Sequence, residues 1–271
     1  MLSEFEKNGY ILLNVENKSV LDEFNAALES LIRHYCHAEG IQIDAKDIFH
    51  KGYLLLDKKN HDRIHEIYNI LRNSNVLYNL ITLPAISNAA KTILSMNEKD
   101  PLNYFFHVCR MDPPGDEKFI LGWHQEDYGL HSKSSSLRLW APLVERNGVE
   151  NGSMDVLVGS HKDGEFPHYI CEKDGYSSLY IPEEHIDFSK YSRMTVELEP
   201  GHMLLLNPNL IHKSNYNKGT RVRYSLTVHI KNPMDANFEL ISKEERFKLS
   251  RMKAVNFNEF SKSSGKNIAA Y

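Results

Sequence analysis

The first hundred residues carry the apolar spacing of amphipathic helices. Between Ser19 and Gly40, apolar side chains recur at intervals of three and four, and Gly40 suits the end of a helix. The same spacing over residues 61–74 predicts another helix. Pro84 divides the apolar stretch 75–95 into two further helices, because proline interrupts a helix interior. The N-terminal part is therefore predicted to be mostly helical.

After Pro101 the pattern changes to short runs of β-branched, aromatic and aliphatic residues separated by Gly, Pro and Asn, which predicts strands. The predicted strands lie within residues 103–111, 136–144, 153–159, 195–208 and 221–230. Residues 161–193 lack sustained periodicity and are typical of a lid, a binding loop or a surface excursion. A last helix is predicted at 242–255, followed by a polar tail.

The last predicted strand alternates between an apolar face and a polar face. Its polar positions are Arg221, Arg223, Ser225, Thr227 and His229. A barrel whose interior takes the polar side chains would produce this pattern, and so would an exposed antiparallel edge.

Composition indicates a globular protein and leaves small neutral or mildly charged partners open. The chain has 271 residues, of which 41% are hydrophobic and 25% charged, and one domain of this length is expected. A net charge of -4 gives no basic surface for nucleic acid or an anionic membrane, and no apolar run reaches membrane-spanning length. Three cysteines without a CxxC pair, and acidic residues near the N-terminus, predict a cytoplasmic location.

Residues 122–128, "GWHQEDY", place two carboxylates beside His124, although an ordinary polar strand end can have the same composition. Non-haem Fe(II) oxygenases hold iron by two histidines and one carboxylate and leave three positions open. In an extended strand, His124 and Glu126 point the same way while Gln125 points across. Geometry therefore favours Glu126 over Asp127 as the carboxylate ligand.

A second histidine ligand has to come from a distant strand. His212 follows a hydrophobic run and a Pro/Asn turn, and Arg223 lies eleven positions later. The cosubstrate 2-oxoglutarate chelates iron through its keto-acid end and leaves a second carboxylate that needs a bidentate cationic partner. His212 and Arg223 are therefore candidates for the two ends of such a site.

With these residues the chain resembles the phytanoyl-CoA dioxygenase family of Fe(II)/2-oxoglutarate oxygenases. The resemblance runs through "FEKNGYILL", "WHQED", "LWAPLVERNGVENGSMDVLVGSH" and "HKSNYNKGTRVRYSL". It implies a mainly β fold with flanking helices, a double-stranded β-helix of the cupin-like jelly-roll type. It also implies a single oxygenase domain over 1–271, with a helical part at 1–100, the jelly-roll core at 101–232 and a C-terminal helix and tail at 233–271.

Carried over residue by residue, the resemblance implies three iron ligands: His124, Glu126 and His212. It also implies that Arg223 clamps the 2-oxoglutarate carboxylate. Ser214 and Trp140 correspond to positions that line the 2-oxoglutarate pocket, and Gln125 is expected nearby. Fe(II) and 2-oxoglutarate are thus the implied cofactors, and O₂ is the implied oxidant.

The carboxylate is where the chain departs from the family. The usual residue two positions after the first histidine is Asp, whereas this chain has Glu126 there and Asp127 next. The longer side chain shifts the carboxylate by about one C–C bond, so a bulge that brings in Asp127 stays an alternative.

Other polar residues have simpler interpretations. His161 is predicted to be a structural hydrogen-bonding residue. Arg138 lies on the same face of its predicted strand as Trp140 and would reach either the substrate or a surface acid. Arg221 would be solvated or face the substrate. Surface or outer-sphere roles are expected for the remaining histidines that lie near predicted strands: His107, His131, His168, His202 and His229.

The predicted activity is hydroxylation of a C–H bond in a small polar metabolite, with release of succinate and CO₂. Substrate selection is expected from residues 48–59 and 164–193, and the acidic composition of the second segment disfavours an acyl-CoA. One alternative is a non-catalytic or regulatory jelly roll with an altered metal site. Another is a cupin-like metal-dependent isomerase or hydrolase, which would need no arginine clamp.

Overall fold

The computed structural model describes residues 1–15, 17–117, 120–126, 135–173, 176–238 and 240. Its α-helices are α1 (Leu2–Asn8), α2 (Lys18–Ala38), α3 (Tyr53–Lys59), α4 (His61–Arg72), α5 (Asn75–Ile81) and α6 (Pro84–Ile93). Its strands are β1 (Tyr10–Asn14), β2 (Asn103–Asp112), β3 (Ser136–Pro142), β4 (Met154–Val158), β5 (Tyr169–Lys173), β6 (Tyr176–Tyr180), β7 (Ser192–Thr195), β8 (His202–Leu206), β9 (His212–Ser214) and β10 (Arg223–Lys231).

The helices follow the apolar spacing of the sequence. In α2 the buried residues recur every three or four positions: Leu21, Phe24, Leu28, Ile32 and Cys36. Pro84 stands in the first turn of α6, where its missing N–H leaves no intrahelical bond unmade, so it begins that helix and ends the preceding segment. The helix predicted at 242–255 lies outside the described residues.

The main sheet is antiparallel and has the strand order β1-β8-β3-β10-β2. β10 lies inside it between β2 and β3, and all nine of its residues are buried. Its apolar face packs in the largest hydrophobic cluster together with α2 and the other helices. The interior interpretation of the alternating strand therefore replaces the exposed-edge interpretation.

A smaller antiparallel sheet, with the order β7-β4-β9, forms the second layer. Apolar side chains of both sheets meet in a second cluster that includes Trp140, Val156, Leu204 and Leu206. The remaining two strands, β5 and β6, form a hairpin within the stretch that sequence periodicity left without structure. Two antiparallel layers around an interior with flanking helices confirm the predicted jelly-roll class.

Two further features of the β strands were absent from the sequence expectations. β1 lies in the helical N-terminal part and yet pairs with β8 of the main sheet, so the helical part contributes an edge strand. β2 carries a bulge beside β10, where Phe106 adopts a left-handed φ of 47°.

None of the helices in the described residues is long and apolar enough to cross a membrane.

Candidate active site

The two histidines expected at the metal site are backbone partners. The N–H of His124 donates to the carbonyl of His212 at 2.9 Å, and the N–H of His212 donates to the carbonyl of His124 at 3.0 Å. Residues directly opposite each other in an antiparallel pair project their side chains to the same face. The two imidazole rings accordingly lie side by side, with centroids 4.2 Å apart.

Hydrogen bonds fix which ring nitrogens face the interior. His124 Nδ1 lies 2.7 Å from the carbonyl oxygen of Gly122, and His212 Nδ1 lies 2.8 Å from that of Leu210. A carbonyl only accepts, so each Nδ1 carries a hydrogen and each Nε2, the atom that bears the lone pair in such a tautomer, is turned inward. Burial, followed by the nearby imidazole of His124, lowers the pKa of His212 and favours this neutral form.

Glu126 completes a group of three ligand-type side chains. Its Oε1 lies 3.6 Å from His124 Nε2 and 3.2 Å from His212 Nε2, and the candidate ligand atoms all lie within 4.8 Å of one another. All three residues are buried. Three electron pairs that converge in a buried space repel one another unless a cation is placed between them. This donor set therefore fits the two-histidine, one-carboxylate site of non-haem iron.

Hydrogen bonds to neighbouring loops hold Gln125 and Glu126 in place. The backbone N–H of Glu126 donates to the carbonyl of Pro208. Gln125 points across, as expected from strand parity, and its side-chain amide donates to the carbonyls of Gly164 and Asn209 and accepts from the N–H of Phe166. Gln125 thus braces two loops, and it is not among the residues that line the cavity beside the histidines.

The other carboxylate oxygen of Glu126 faces a guanidinium group. Oε2 lies 2.5 Å from Arg138 Nη1 and 3.4 Å from His229 Nε2. Burial alone would raise the pKa of Glu126, but the adjacent Arg138 charge holds it well below its ordinary value. Glu126 is therefore an anion at neutral pH.

Arg223 is the first residue of β10 and belongs to a second charged cluster. Its Nε and Nη2 both donate to Asp112 Oδ2, at 3.1 and 2.6 Å. Arg110 donates to Asp112 Oδ1 at 2.9 Å and to the Ser214 hydroxyl at 3.2 Å. Two guanidinium groups thus share the Asp112 carboxylate in a mostly buried cluster. Both arginines also line the neighbouring cavity, so a carboxylate ligand there would meet two cationic groups.

The two clusters border one cavity, whose space measures about 380 Å³ when the solvent at its mouth is included. The charged side chains that line it are arginines, and Trp140 and several hydroxyl groups add an apolar wall and hydrogen-bonding groups. Its lining residues are Arg110, Leu121, His124, Arg138, Trp140, Ser153, Met154, His212, Ser214, Arg223, Ser225 and Thr227. The cavity thus extends from the histidine pair to the Arg223 cluster.

The structure brings most of the residues predicted for the site to this cavity. Asp127, the alternative carboxylate, lies outside the described residues. Sequence reasoning did not assign Arg110, Asp112 or His229 to the site, and it left Arg138 undecided. The signal was present in strand parity: Arg110 and Asp112 share one face of β2, and Arg138 shares a face with Trp140 on β3. The sequence did not reveal that β2 and β3 both pair with β10.

Comparisons with known proteins agree with this geometry. The sequence profile of the phytanoyl-CoA dioxygenase (PhyH) family matches residues 5–225. A probable phytanoyl-CoA dioxygenase of Caenorhabditis elegans is 25% identical over 233 residues, which cover 84% of this chain and 73% of that protein. The family match confirms the predicted resemblance and the predicted enzyme class, an iron- and 2-oxoglutarate-dependent oxygenase.

Solved structures show the same fold at low sequence identity. EctD from S. alaskensis, in complex with 2-oxoglutarate and 5-hydroxyectoine, superposes with a TM-score of 0.58 at 18% identity, covering 88% of this chain and 78% of EctD. The epimerase SnoN from nogalamycin biosynthesis, in complex with Fe³⁺, α-ketoglutarate and a nogalamycin compound, has a TM-score of 0.56 at 17% identity, covering 85% and 82%. With its profile match, its jelly roll and its buried triad, the chain belongs to the phytanoyl-CoA dioxygenase family.

Proposed function

We propose that this chain is a single-domain dioxygenase in which His124, Glu126 and His212 hold Fe(II) and the Arg223 cluster holds 2-oxoglutarate. The observation that carries the proposal is the convergence of two imidazole lone pairs and one carboxylate oxygen at a buried point. Bound iron, together with 2-oxoglutarate, supplies the oxidising power that activates O₂ and hydroxylates a C–H bond. The protein residues fix the ligand atoms, exclude water and orient the two organic molecules.

The cosubstrate carboxylate is assigned to Arg223 and Arg110 together. Asp112 occupies one edge of the Arg223 guanidinium and part of Arg110, and both arginines line the cavity. The distal carboxylate of 2-oxoglutarate would accept hydrogen bonds from them in a buried setting, where a charge-assisted hydrogen bond is strong. Ser214 binds Arg110 and lines the same space, and Trp140 offers an apolar wall to the carbon chain.

The substrate is proposed to be a small polar metabolite. The cavity is lined by arginine and hydroxyl side chains beside Trp140, and such a lining suits a polar molecule with a small apolar part. Residues 48–59 and 164–193 remain the segments proposed to select the substrate. A cytoplasmic location is proposed from the cysteines, and the two that the structure describes in full, Cys36 and Cys109, are buried free thiols.

Anaerobic titration tests the cofactor assignment directly. Fe(II) and 2-oxoglutarate added to the protein should produce the weak visible absorption band of the iron chelate, and His212→Ala should abolish it. His161→Ala is the control, because His161 contacts the carbonyl of Glu6 outside the cavity. A band of full intensity in the His212→Ala protein would refute the assigned ligands.

Turnover then separates an oxygenase from its alternatives. With O₂ admitted, candidate polar metabolites are screened for stimulated release of succinate. A non-catalytic jelly roll would bind metal without forming succinate, and a cupin-like isomerase or hydrolase would act without consuming 2-oxoglutarate. Consumption of 2-oxoglutarate that depends on both His212 and Arg223 is the expected result.

A further inference from the structure

Glu126 uses its two carboxylate oxygens for different partners. Oε1 faces the two Nε2 atoms of the histidine pair, whereas Oε2 faces Arg138 Nη1 at 2.5 Å and His229 Nε2 at 3.4 Å. The Arg138 side chain is 13% exposed and the His229 side chain 1% exposed, so this contact is largely shielded from water. A charge pair in such surroundings is screened far less than one at the surface.

The sheet fixes the position of the guanidinium group. Arg138 of β3 lies directly opposite His229 of β10, and their side chains contact each other on the polar face. The His229 ring in turn packs edge-on against Phe105 and Phe106, with centroids 5.1 and 5.3 Å away. Both phenylalanines reach this ring at the β2 bulge, where one extra residue is inserted. Two strands and a bulge therefore hold the group that contacts Glu126.

We propose that Arg138 is a positioning residue for the metal-binding carboxylate and that it compensates for the longer side chain at Glu126. Glutamate has one more rotatable bond than aspartate, so an unsupported carboxylate there loses more rotamer freedom when it binds metal. Arg138 holds Oε2 and thereby presents Oε1 to the position between the histidines. This inference rests on the proposed function, because it assumes that His124, Glu126 and His212 bind the metal.

A metal-affinity cycle tests the proposal without turnover. Co(II) is the probe, and its binding is measured by the quenching of the fluorescence of Trp123 and Trp140, the two tryptophans of the chain. Both are buried, and Trp123 adjoins His124. Arg138→Gln should weaken Co(II) binding about 10- to 100-fold, the usual cost of removing a group that orients a metal ligand. Arg138→Lys should recover part of the loss, because it restores the charge without the planar fork.

The decisive comparison is between carboxylate lengths. In the Glu126→Asp background the shorter side chain no longer spans from the histidines to Arg138, so Arg138→Gln should change Co(II) affinity less than about threefold. Equal losses in the two backgrounds would overturn the proposal, and so would an unchanged affinity in the Arg138→Gln protein. The visible spectrum of bound Co(II) gives a second readout, since a displaced carboxylate alters the absorption bands and a remote structural change does not.

Control variants separate this inference from the proposed function. Arg146→Gln removes an exposed arginine that pairs with Glu150 and Glu197, and it should leave Co(II) affinity unchanged. Native Co(II) affinity in the His212→Ala protein would contradict the metal site itself. Loss of binding in that protein, together with native affinity in the Arg138→Gln protein, would contradict only the role of Arg138. Urea unfolding of each metal-free variant identifies losses of affinity that arise from misfolding.

Discussion

His124 and His212 exchange two backbone hydrogen bonds, of 2.9 and 3.0 Å, at the wall of the jelly-roll cavity. This single pairing joins a segment after β2 to the first residue of β9 and places both imidazole rings on one face. A change in the register of either segment by one residue would turn one ring away from the other. The proposed metal site therefore depends on a local strand pairing as much as on the identity of its proposed ligands.

The Arg223 cluster predicts a selective loss of cosubstrate binding. Arg223→Gln removes the charge that would grip the distal carboxylate of 2-oxoglutarate, and hydrogen bonds to charged groups contribute about 1.5 to 3 kcal/mol. The dissociation constant for 2-oxoglutarate should rise roughly 10- to 150-fold, while the affinity for Co(II) should stay within about threefold of the native value. Both constants are measured by calorimetry under anaerobic conditions.

Arg221→Gln is the matched control for that experiment. Arg221 lies two positions earlier, and its exposed side chain pairs with Glu145 rather than lining the cavity. Its substitution should leave 2-oxoglutarate binding unchanged. Equal effects of the two substitutions would show that general loss of positive charge, and not the placement of Arg223, accounts for the result.

Asp112 is expected to stabilise the fold because its carboxylate pairs with both Arg110 and Arg223. Asp112→Asn leaves Arg110 and Arg223 close together without their shared counter-ion, and removing one partner of a buried ion pair typically costs about 3 to 5 kcal/mol. The free energy of unfolding in urea should fall by this amount. Saturating 2-oxoglutarate should restore more stability to the variant than to the native protein, because its carboxylate replaces the missing charge. Equal stabilisation of both proteins would argue against binding at this cluster.

His168 predicts a pH dependence of stability. Its Nε2 accepts the backbone N–H of Gln125, and burial lowers its pKa to about 3, below the value of about 6.5 in an unfolded chain. The unfolded state therefore takes up a proton first as the pH falls. This residue contributes full stability above about pH 6.5 and loses about 1.4 kcal/mol for each pH unit below it, down to the folded pKa.

His168→Gln removes that titration and keeps a side-chain acceptor. The free energy of unfolding is measured with urea at pH 7 and at pH 5. Between these two values the native protein should lose about 2 kcal/mol more of it than the variant. Parallel losses in the two proteins would mean that other groups account for the acid sensitivity.

Gly152 is predicted to tolerate no side chain. It has a left-handed φ of 77°, and a Cβ atom there would overlap the backbone of Tyr216, just beyond β9. Gly152→Ala should cost more than about 3 kcal/mol, combining backbone strain with this overlap. Gly40→Ala is the control, because Gly40 has a φ of 68° and open space around it, so about 1 to 2 kcal/mol of strain remains. Similar losses of unfolding free energy in both variants would refute the steric part of the prediction.

Local pattern was sufficient for the elements with a strong period. The apolar spacing predicted α2, α4, α5 and α6, and Pro84 predicted the break between the last two. The hairpin of β5 and β6 was missed because residues 161–193 show no sustained alternation of apolar and polar positions. β9 was missed because three residues are too few for a period, and β1 because a short strand between two helices has no signal of its own.

The sequence by itself determined the family, the helix stripes, the alternating faces of the strands and the three ligand-type residues of the site. Those properties follow from residue identity and local spacing. Only the tertiary structure decided that Arg138 and His229 face Glu126, that Asp112 joins two arginines, and that Gln125 braces loops instead of lining the cavity. These contacts depend on strand register and on a bulge, because pairing between distant segments determines which side chains on a shared face become neighbours.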